Sequence, residues 1–312
     1  MNRRISVLVI CSLAAVLALA GCGTRKERTE AASTQTVRLA LSPLNVGENA
    51  VFAAQRENYF VQAGLKAQLS VSADPATAIR KVQQGQADLA IASEADLLEA
   101  RGKGARVVSV ATLVQTPFTS LIGPKLSIGA VADLATKPIG TQGLDYQRAM
   151  AEAIFKKAGG SARVVDVGED LTRALSTKMV AAVIAPFGGP TLPGNVVTIP
   201  VDRLGVPTFS EYVLVANEAA LDRDGDQIRA FVTALARGTR MLGSSNGFGT
   251  SIPLKGAQIA RIRALMQPPA GKPYGWHDAA RWNAFGAWLK ANNLPVKSAG
   301  AFTNEFLPGQ GS

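Results

Sequence analysis

A glycine-flanked serine and a lone histidine are the residues of this 312-residue chain that could support covalent chemistry. Residues 243–247 (Gly-Ser-Ser-Asn-Gly) fit the G-x-S-x-G pattern of hydrolases. They follow a predicted helix, however, whereas the nucleophilic serine of that class stands on a strained turn after a strand. One histidine, His277, does not make the usual multi-histidine metal site. We therefore expect an exposed, structural His277 before the helix cap Asp278, and no catalytic residue, metal or cofactor.

The N-terminal residues have the pattern of a bacterial secretion signal. Two arginines precede an apolar stretch, residues 5–20, that is too short for a comfortable membrane span. Residues 19–22 (Leu-Ala-Gly-Cys) resemble the bacterial lipobox, in which the cysteine receives a diacylglycerol. We predict a signal peptide at 1–21, then a lipidated Cys22 and a flexible tether at 22–35. The other cysteine leaves with the signal, so the mature domain would have no disulfide and no thiol nucleophile.

The formal charge of +10 is spread along the chain, without a basic cluster interleaved with aromatic residues. This distribution gives no support to nucleic-acid binding. A cationic protein held near anionic lipid headgroups is the simpler interpretation. We expect an exported monomer, anchored by lipid to the outer face of the cytoplasmic membrane or on the periplasmic or outer-membrane side.

Predicted strands and helices alternate from residue 36 onward, which indicates α/β architecture with doubly wound, mainly parallel sheets. The predicted strands are 37–41, 65–71, 87–92, 138–141, 164–167, 181–185 and 212–216. The predicted helices are 49–56, with Asn49 as its cap, 75–84, 145–158, 171–178, 227–242 and 278–291. The length suits two lobes of about 100 to 150 residues each. We predict lobe 1 from 36–120 and 211–312 and lobe 2 from 121–210, with crossing strands near 119–123 and 209–215.

Open α/β sheets bind ligands outside the carboxyl ends of their strands, so the loops there are candidate binding loops. The charged side chains of these loops are all acidic: Glu48, Glu94, Asp96, Asp145 and Glu211. An anion site would usually present Arg or Lys. Backbone N–H groups at helix N-termini can also hold anions, so an anionic ligand is disfavoured but stays open.

Aromatic rings and amides occupy the same loops. Aromatic faces beside carboxylates and amides suit a flat, amine-bearing ring that is neutral or cationic. The rings are Phe118, Tyr146, Phe187 and Phe209, with Phe52 one turn into the first helix; for each, the alternative is a place in the core of a lobe. The predicted ligand-binding residues are Asn45, Glu48, Asn49, Phe52, Ser93, Gln115, Thr116, Gln142, Tyr146, Phe187 and Glu211.

Several stretches resemble type II periplasmic binding proteins and, more narrowly, the NMT1/THI5-like group. They are residues 55–60 (Gln-Arg-Glu-Asn-Tyr-Phe), 85–91 (Gly-Gln-Ala-Asp-Leu-Ala-Ile), 107–115, 211–218 and 302–307. The resemblance implies two lobes that hold a solute in the cleft between them, on a substrate-binding lipoprotein that works with ABC permease and ATPase subunits. For the binding proteins of the group it implies pyrimidine precursors of thiamine as solutes.

Two alternatives stay open. The first is a receptor for another small nutrient such as an alkylsulfonate or nitrate. The second is an enzyme, because the group also contains synthases that make the thiamine pyrimidine from an internal histidine and pyridoxal phosphate. Such an enzyme needs a sacrificial active-site histidine and a cluster of cysteines. This chain has one histidine, and Cys22 would be its only cysteine after the signal is removed, so we expect a receptor.

The first binding loop departs from the pattern of the precursor binders in this group. Their loop resembles Asp-Trp-Thr-Pro-Asn-Thr-Asn-His, whereas residues 41–48 read Leu-Ser-Pro-Leu-Asn-Val-Gly-Glu. Asn45 stays in register, and Glu211 matches the acidic residue before the second crossing strand. We expect Glu211 to face the cleft, so that Glu211→Gln would weaken binding by about 1.5 to 3 kcal/mol with little loss of fold stability.

Overall fold

Two five-stranded sheets form the framework of the fold. The structure is a computed structural model, and it describes residues 34–42, 48–124, 131–186, 196–242 and 256–309. The first sheet has the order β2-β1-β3-β10-β4 and the second the order β7-β6-β8-β5-β9. The strands of the first sheet are β1 (Gln35–Leu41), β2 (Leu65–Val71), β3 (Leu89–Ala92), β4 (Val107–Val114) and β10 (Tyr212–Asn217). Those of the second are β5 (Thr119–Pro124), β6 (Pro138–Thr141), β7 (Arg163–Asp166), β8 (Ala182–Pro186) and β9 (Val196–Pro200).

Nine α-helices accompany these strands within the described residues. They are α1 (Glu48–Arg56), α2 (Tyr59–Gln62), α3 (Pro75–Gln83), α4 (Glu94–Gly102), α5 (Asp145–Lys157), α6 (Leu171–Ser176), α7 (Leu221–Met241), α8 (Gly256–Leu265) and α9 (Ala279–Ala291). We call the first sheet with its helices lobe 1 and the second sheet with its helices lobe 2. The exact residue boundaries of the lobes stay a prediction.

The two sheets share one connectivity. In each, a central strand pairs in parallel with two neighbours, β1 with β2 and β3, and β6 with β7 and β8. An antiparallel strand lies next to this trio, β10 in the first sheet and β5 in the second. The chain passes from the first sheet to the second between β4 and β5, and returns before β10. Both crossings lie at the carboxyl edges of the parallel strands, where a ligand site is expected.

Local sequence signals set the helix starts that carry the candidate site. Ser93 and Asp96 form a capping box at α4, in which the Ser93 hydroxyl accepts from the Asp96 N–H at 3.0 Å. The first turn of α1 packs directly on α7 at Gly238. A side chain at position 238 would collide with the Ala50 carbonyl oxygen. Close packing of the two helices therefore depends on a glycine at that position.

Two segments from the C-terminal part of the chain, around Gly275 and Ala301, lie along the outer edge of β4, and we call them the C-terminal cover. The Ser109 N–H donates to the Ala301 carbonyl at 2.8 Å, and the Thr112 N–H donates to the Gly275 carbonyl at 2.8 Å. All eight residues of β4 are buried. An edge strand with unpaired N–H groups is a site for unwanted pairing, and here these segments occupy it.

One apolar core runs through both lobes. It joins residues of α3, α4 and α9 in lobe 1 to residues of α5 and β8 in lobe 2. Phe209, on the second crossing, stacks on Phe285 of α9 with ring centroids 4.4 Å apart. The other face of the first sheet has a separate core formed with α1 and α7. The lobes are thus packed together near the crossings, and only two chain segments connect their sheets.

The α/β architecture agrees with the sequence prediction, but several local predictions are wrong. Residues 94–96 begin α4, where the sequence pattern predicts a loop. Helix α7 begins at Leu221 instead of residue 227 and runs through Gly225, which packs against Phe306. Asn49 is the second residue of α1, not its cap. The start of α4 has a local signal in its capping box, whereas α7 continues through Gly225 where the helix packs against Phe306.

Candidate functional site

Ionisable side chains from four elements interact at the carboxyl edges of the sheets. They come from the first turns of α1 and α4, the start of α5 and the first residue of β10. Tyr212 begins β10 and interacts with Glu211, Glu48, Asp96 and, from lobe 2, Glu169. Burial, and after it these negative charges, raise the pKa of Tyr212 well above its ordinary value. The charges acting on this ring are all acidic.

Glu48 opens α1 with a carboxyl group that is largely withdrawn from water. Its side chain is buried, and this burial raises its pKa to about 8. A carboxyl group with that pKa is mostly protonated at neutral pH and can donate as well as accept a hydrogen bond. The acidic loop predicted at Glu48 thus presents a carboxyl that is mainly neutral at pH 7.

Asn49 follows Glu48 and is 1 % exposed. Neither its Oδ1 nor its Nδ2 has a hydrogen-bond partner in the part of the chain that the structure describes. Leaving a buried donor or acceptor unsatisfied costs about 1 to 3 kcal/mol, so such a group calls for a polar partner. Asn49 therefore has the strongest geometric support of the predicted ligand residues.

Ser93 and Tyr146 connect the two lobes. The Ser93 hydroxyl donates to the Asp96 carboxylate at 2.6 Å, and the Tyr146 phenol of α5 lies close enough to Ser93 and Asp96 for both to affect its pKa. Burial raises the pKa of Asp96 to about 6, and the raised pKa of Tyr146 has burial as its largest cause. Tyr146 thus places a phenol from lobe 2 against the capping box of α4 in lobe 1.

Glu211 is 1 % exposed and its carboxylate is fully engaged by the first crossing. Its Oε2 accepts from the N–H groups of Phe118 at 2.9 Å and Thr119 at 2.8 Å. Its Oε1 accepts from the Thr119 hydroxyl at 2.6 Å. A substitution that removes the acceptor oxygens of Glu211 would leave two buried N–H groups unsatisfied, whereas the small loss of fold stability expected for Glu211→Gln stays a prediction.

Glu94 makes a related contact with the second crossing. Its Oε2 accepts from the Ser210 N–H at 2.7 Å, while its Oε1 has no partner among the described residues. The side chain is fully buried, and this burial raises its pKa to about 8. Glu94 is thus part of the frame of the crossings.

The amides predicted for the site serve largely to hold protein segments together. Gln142 accepts from the Gln147 side chain at 3.0 Å and donates to the Glu169 carboxylate at 2.8 Å, all within lobe 2. Gln115 donates to the Trp276 carbonyl at 3.2 Å. Thr116 lies half-buried between the sheets on the first crossing.

The candidate aromatic rings divide between core and edge. Phe118 and Phe209 are buried in the two main cores, so the core alternative holds for both. Phe52 is half-buried and packs against the core beneath α1. Tyr146 is buried at the contact between lobes. Asn45, Phe187, Cys22 and residues 243–247 lie outside the described residues.

Sequence reasoning missed Tyr212 and Glu169 as neighbours of this site. The strand pattern places Tyr212 in the core, although the strand begins at the carboxyl edge and Tyr212 is its first residue. Its position directly after Glu211 was an available signal. Glu169 follows β7 in a loop whose direction depends on the sheet order, which the sequence does not specify.

His277 is buried, and the prediction of an exposed histidine is wrong. Its Nδ1 lies 2.9 Å from the Asn304 Oδ1, and its Nε2 lies 2.7 Å from the Ser109 Oγ. Burial lowers its pKa to about 4. The Ser-His-Asn order resembles a catalytic relay, but Ser109 is completely buried in β4. The relay instead fastens the C-terminal cover to the first sheet.

The described residues contain no group of three or more His, Cys, Asp or Glu side chains that could hold a metal ion. Among the helices of the described segments, none is both long and apolar enough to cross a membrane.

Comparison with known proteins identifies three informative similarities. The family model described as NMT1/THI5 like matches residues 47–244. The formylaminopyrimidine-binding protein of Halalkalibacterium halodurans is 26% identical over 328 residues, covering 96% of this chain and 98% of that protein. A 4-amino-5-hydroxymethyl-2-methylpyrimidine phosphate synthase of Aspergillus parasiticus is 26% identical over 210 residues, covering 61% of each chain.

The fold is also similar to that of a solved binding protein. The alkanesulfonate-binding protein SsuA from Xanthomonas axonopodis pv. citri, bound to MOPS, has a TM-score of 0.66 at 18% identity. The match covers 86% of this chain and 98% of that one. This likeness confirms the two-lobed binding-protein fold that the sequence predicted.

Proposed function

The chain belongs to the NMT1/THI5-like family, and on that premise we propose that it captures a formylaminopyrimidine-like heteroaromatic amine for an ABC importer. Its role is that of an extracytoplasmic substrate-binding protein and not of an enzyme. The similarity to a formylaminopyrimidine-binding protein spans nearly the whole chain, whereas the similarity to the synthase covers 61% of it. Permease and ATPase subunits would be its partners, with the protein acting as a monomer.

The unpartnered amide of Asn49 is the observation that carries this proposal. It is buried beside Glu48, at the start of the helix that follows the carboxyl end of β1. An aminopyrimidine presents a ring nitrogen that accepts and an amino group that donates, side by side. A carboxamide and a largely protonated carboxyl can match both groups.

The acidic environment favours a neutral or cationic ring over an anion. A sulfonate beside Tyr212 would meet the charges of Asp96, Glu169 and Glu211. The SsuA-like fold nevertheless makes an alkylsulfonate receptor the second candidate. Backbone N–H groups at the start of α5, which has no side-chain cap, would then hold the sulfonate.

We propose Glu48, Asn49, Phe52, Thr116 and Tyr146 as the solute-facing residues among those described. Glu211, Gln115, Gln142 and Ser93 have hydrogen bonds within the protein and would act mainly by holding the site in place. Asn45 and Phe187 remain predicted ligand residues.

Titration calorimetry with formylaminopyrimidine and with an alkanesulfonate tests the solute class. We expect the pyrimidine to bind, and Asn49→Ala to weaken its binding at least about tenfold through the lost hydrogen bonds. Thr112→Ala is the matched control, because the Thr112 Oγ1 is also buried and has no hydrogen-bond partner among the described residues, but lies under the C-terminal cover. Equal affinity of Asn49→Ala and the wild type would remove Asn49 from the site, and binding of the sulfonate alone would favour the second candidate.

We also propose that Cys22 carries a lipid that anchors the mature protein to a membrane. Support comes from the Leu-Ala-Gly-Cys stretch and the polar tether after it. Two or three acyl chains on one N-terminus suffice for stable anchoring. The Cys22→Ser variant should leave the membrane fraction, and its complete retention there would contradict the proposal.

A further inference from the structure

Within the described ranges, two chain segments connect the sheets, so both must bend if the lobes open and close. The first runs from Val114 at the end of β4 to Thr119 at the start of β5. The second leads into β10 through Phe209, Ser210 and Glu211. Lobe closure about such a hinge is a common response of two-lobed binding proteins to a solute.

Glu211 joins these segments to each other. Its own N–H donates to the Val114 carbonyl at 3.0 Å, on the near side of the first crossing. Its carboxylate binds Phe118 and Thr119 on the far side. A single residue of the second crossing thus spans the four residues between β4 and β5.

The same set of contacts extends to lobe 1 through α4. Glu94 accepts from the Ser210 N–H, and the Glu94 N–H lies 3.3 Å from the Ser210 carbonyl. Two neighbouring residues of the second crossing, Ser210 and Glu211, are therefore hydrogen-bonded to different lobes. Ser210 is held by a helix of lobe 1, and Glu211 holds the first strand of lobe 2.

We propose that Glu211 is the positioning residue of the hinge, binding the two crossings to each other so that they bend as one unit when the lobes close on a solute. The expected effect of Glu211 on solute binding rests on the proposed function. Its structural basis, four hydrogen bonds between the two crossings, does not depend on which solute binds. It gives Glu211 a role other than direct contact with the solute, since both carboxylate oxygens already have donors.

Three variants separate the hinge role from a ligand contact. Glu211→Gln can keep its pattern, because the amide oxygen can accept from both N–H groups while Thr119 Oγ1 accepts from the amide nitrogen. Glu211→Ala removes every acceptor, and Thr119→Val removes one donor. Glu218→Gln is the control, since Glu218 pairs with Arg101 at the far end of β10.

Hydrogen exchange in the absence of solute provides the first measurement. In Glu211→Ala, the amides of Phe118 and Thr119 should exchange about 10- to 100-fold faster, the loss expected for a hydrogen bond to a charged group. Those amides should change little in Glu211→Gln and Glu218→Gln. Unchanged exchange in Glu211→Ala would overturn the proposal even if no solute were ever found.

Binding kinetics with formylaminopyrimidine provide the second measurement. A looser hinge should raise the dissociation rate constant in Glu211→Ala and Thr119→Val about tenfold, with the association rate constant within about threefold of the wild type. Binding that is weakened as much in Glu211→Gln as in Glu211→Ala, with normal amide exchange in Glu211→Gln, would instead make Glu211 a solute contact and overturn the hinge role. Failure of the wild type to bind the pyrimidine would refute the solute class and leave the exchange result to decide the hinge.

Discussion

The two sheets have the same strand order, yet their outer edges are treated differently. In the first sheet, β4 is buried along its whole length beneath segments from the C-terminal part of the chain. In the second sheet, β9 occupies the corresponding outer position, and Val197 on it is 39 % exposed. Identical topology therefore does not mean equal burial, because the cover on β4 comes from segments that lie outside the repeated unit.

The difference extends to the ionisable groups. Among the described residues, the carboxyl groups whose pKa is raised by burial belong to lobe 1 or to the crossing into it: Glu48, Glu94, Asp96, Glu99 and Glu211. Lobe 2 contributes Glu169, which is exposed. The covered lobe is thus the one that can shield carboxyl groups from water.

The largest expected effect comes from loosening the cover on lobe 1. Trp282 of α9 packs against the His277 and Phe302 rings at 5.4 and 5.0 Å and is almost fully buried. Trp282→Ala should lower the free energy of unfolding by about 3 to 5 kcal/mol, as expected for a buried aromatic side chain. Urea denaturation measures it, with the half-buried Trp288→Ala as the control. A loss below about 1 kcal/mol would show that the cover contributes little.

The pH dependence of stability should come mainly from lobe 1. Glu94 has a folded pKa of about 8 against an ordinary 4.5, so the folded chain binds more protons between these values and stability falls as pH rises through them. Glu94→Gln should remove a loss on the order of 2 kcal/mol or more between pH 5.5 and 8.5. Thermal or urea unfolding across that range measures it.

The exposed Glu152 on α5 offers a control for this effect. Glu152→Gln replaces an exposed carboxyl group with the same amide and so controls for the substitution itself. His277 works in the opposite direction, because its pKa of about 4 lies below the ordinary 6.5 and stability is lost as pH falls through that interval. An unchanged slope in Glu94→Gln above pH 6.5 would mean that Glu94 does not take up a proton on folding.

The smallest effect is expected at the open edge of lobe 2. Val197→Lys should change the free energy of unfolding by no more than about 0.5 kcal/mol, because the ammonium group can reach water. The same change at Val110, which is completely buried in β4, should prevent stable folding. Similar losses at the two positions in a denaturation series would contradict the contrast between the edges.

Much of the fold could be predicted from local patterns. Strand β2 and helix α3 are predicted to within one residue, because alternation, Pro75 at the start and Gly85 after the end are all local signals. Helix α4 was missed because its acidic first turn, Glu94 to Asp96, resembles a loop. Its capping box is a local signal that the sequence reasoning did not use, whereas the burial of its side chains depends on packing against β4 and α9.

The candidate site was less accessible to sequence reasoning. The prediction of a site at the carboxyl edge rests on sheet direction, which follows from the alternation of strands and helices. Whether a side chain there hydrogen-bonds the protein itself depends on partners that are distant in the sequence, as Thr119 is from Glu211. A carboxylate that holds a backbone segment and one that faces a solute have the same appearance in a sequence.

The relay under the C-terminal cover provides a built-in spectroscopic reporter. Asn304 Oδ1 can only accept from the His277 ring, so the proton resides on Nδ1 and Nε2 receives the Ser109 hydroxyl hydrogen. Because the chain has one histidine, the two imidazole nitrogens would give a single pair of nitrogen-15 resonances. Detachment of the cover would release the ring to the other tautomer and to protonation, and in nitrogen-15-enriched protein the resonances would report that event without any attached probe.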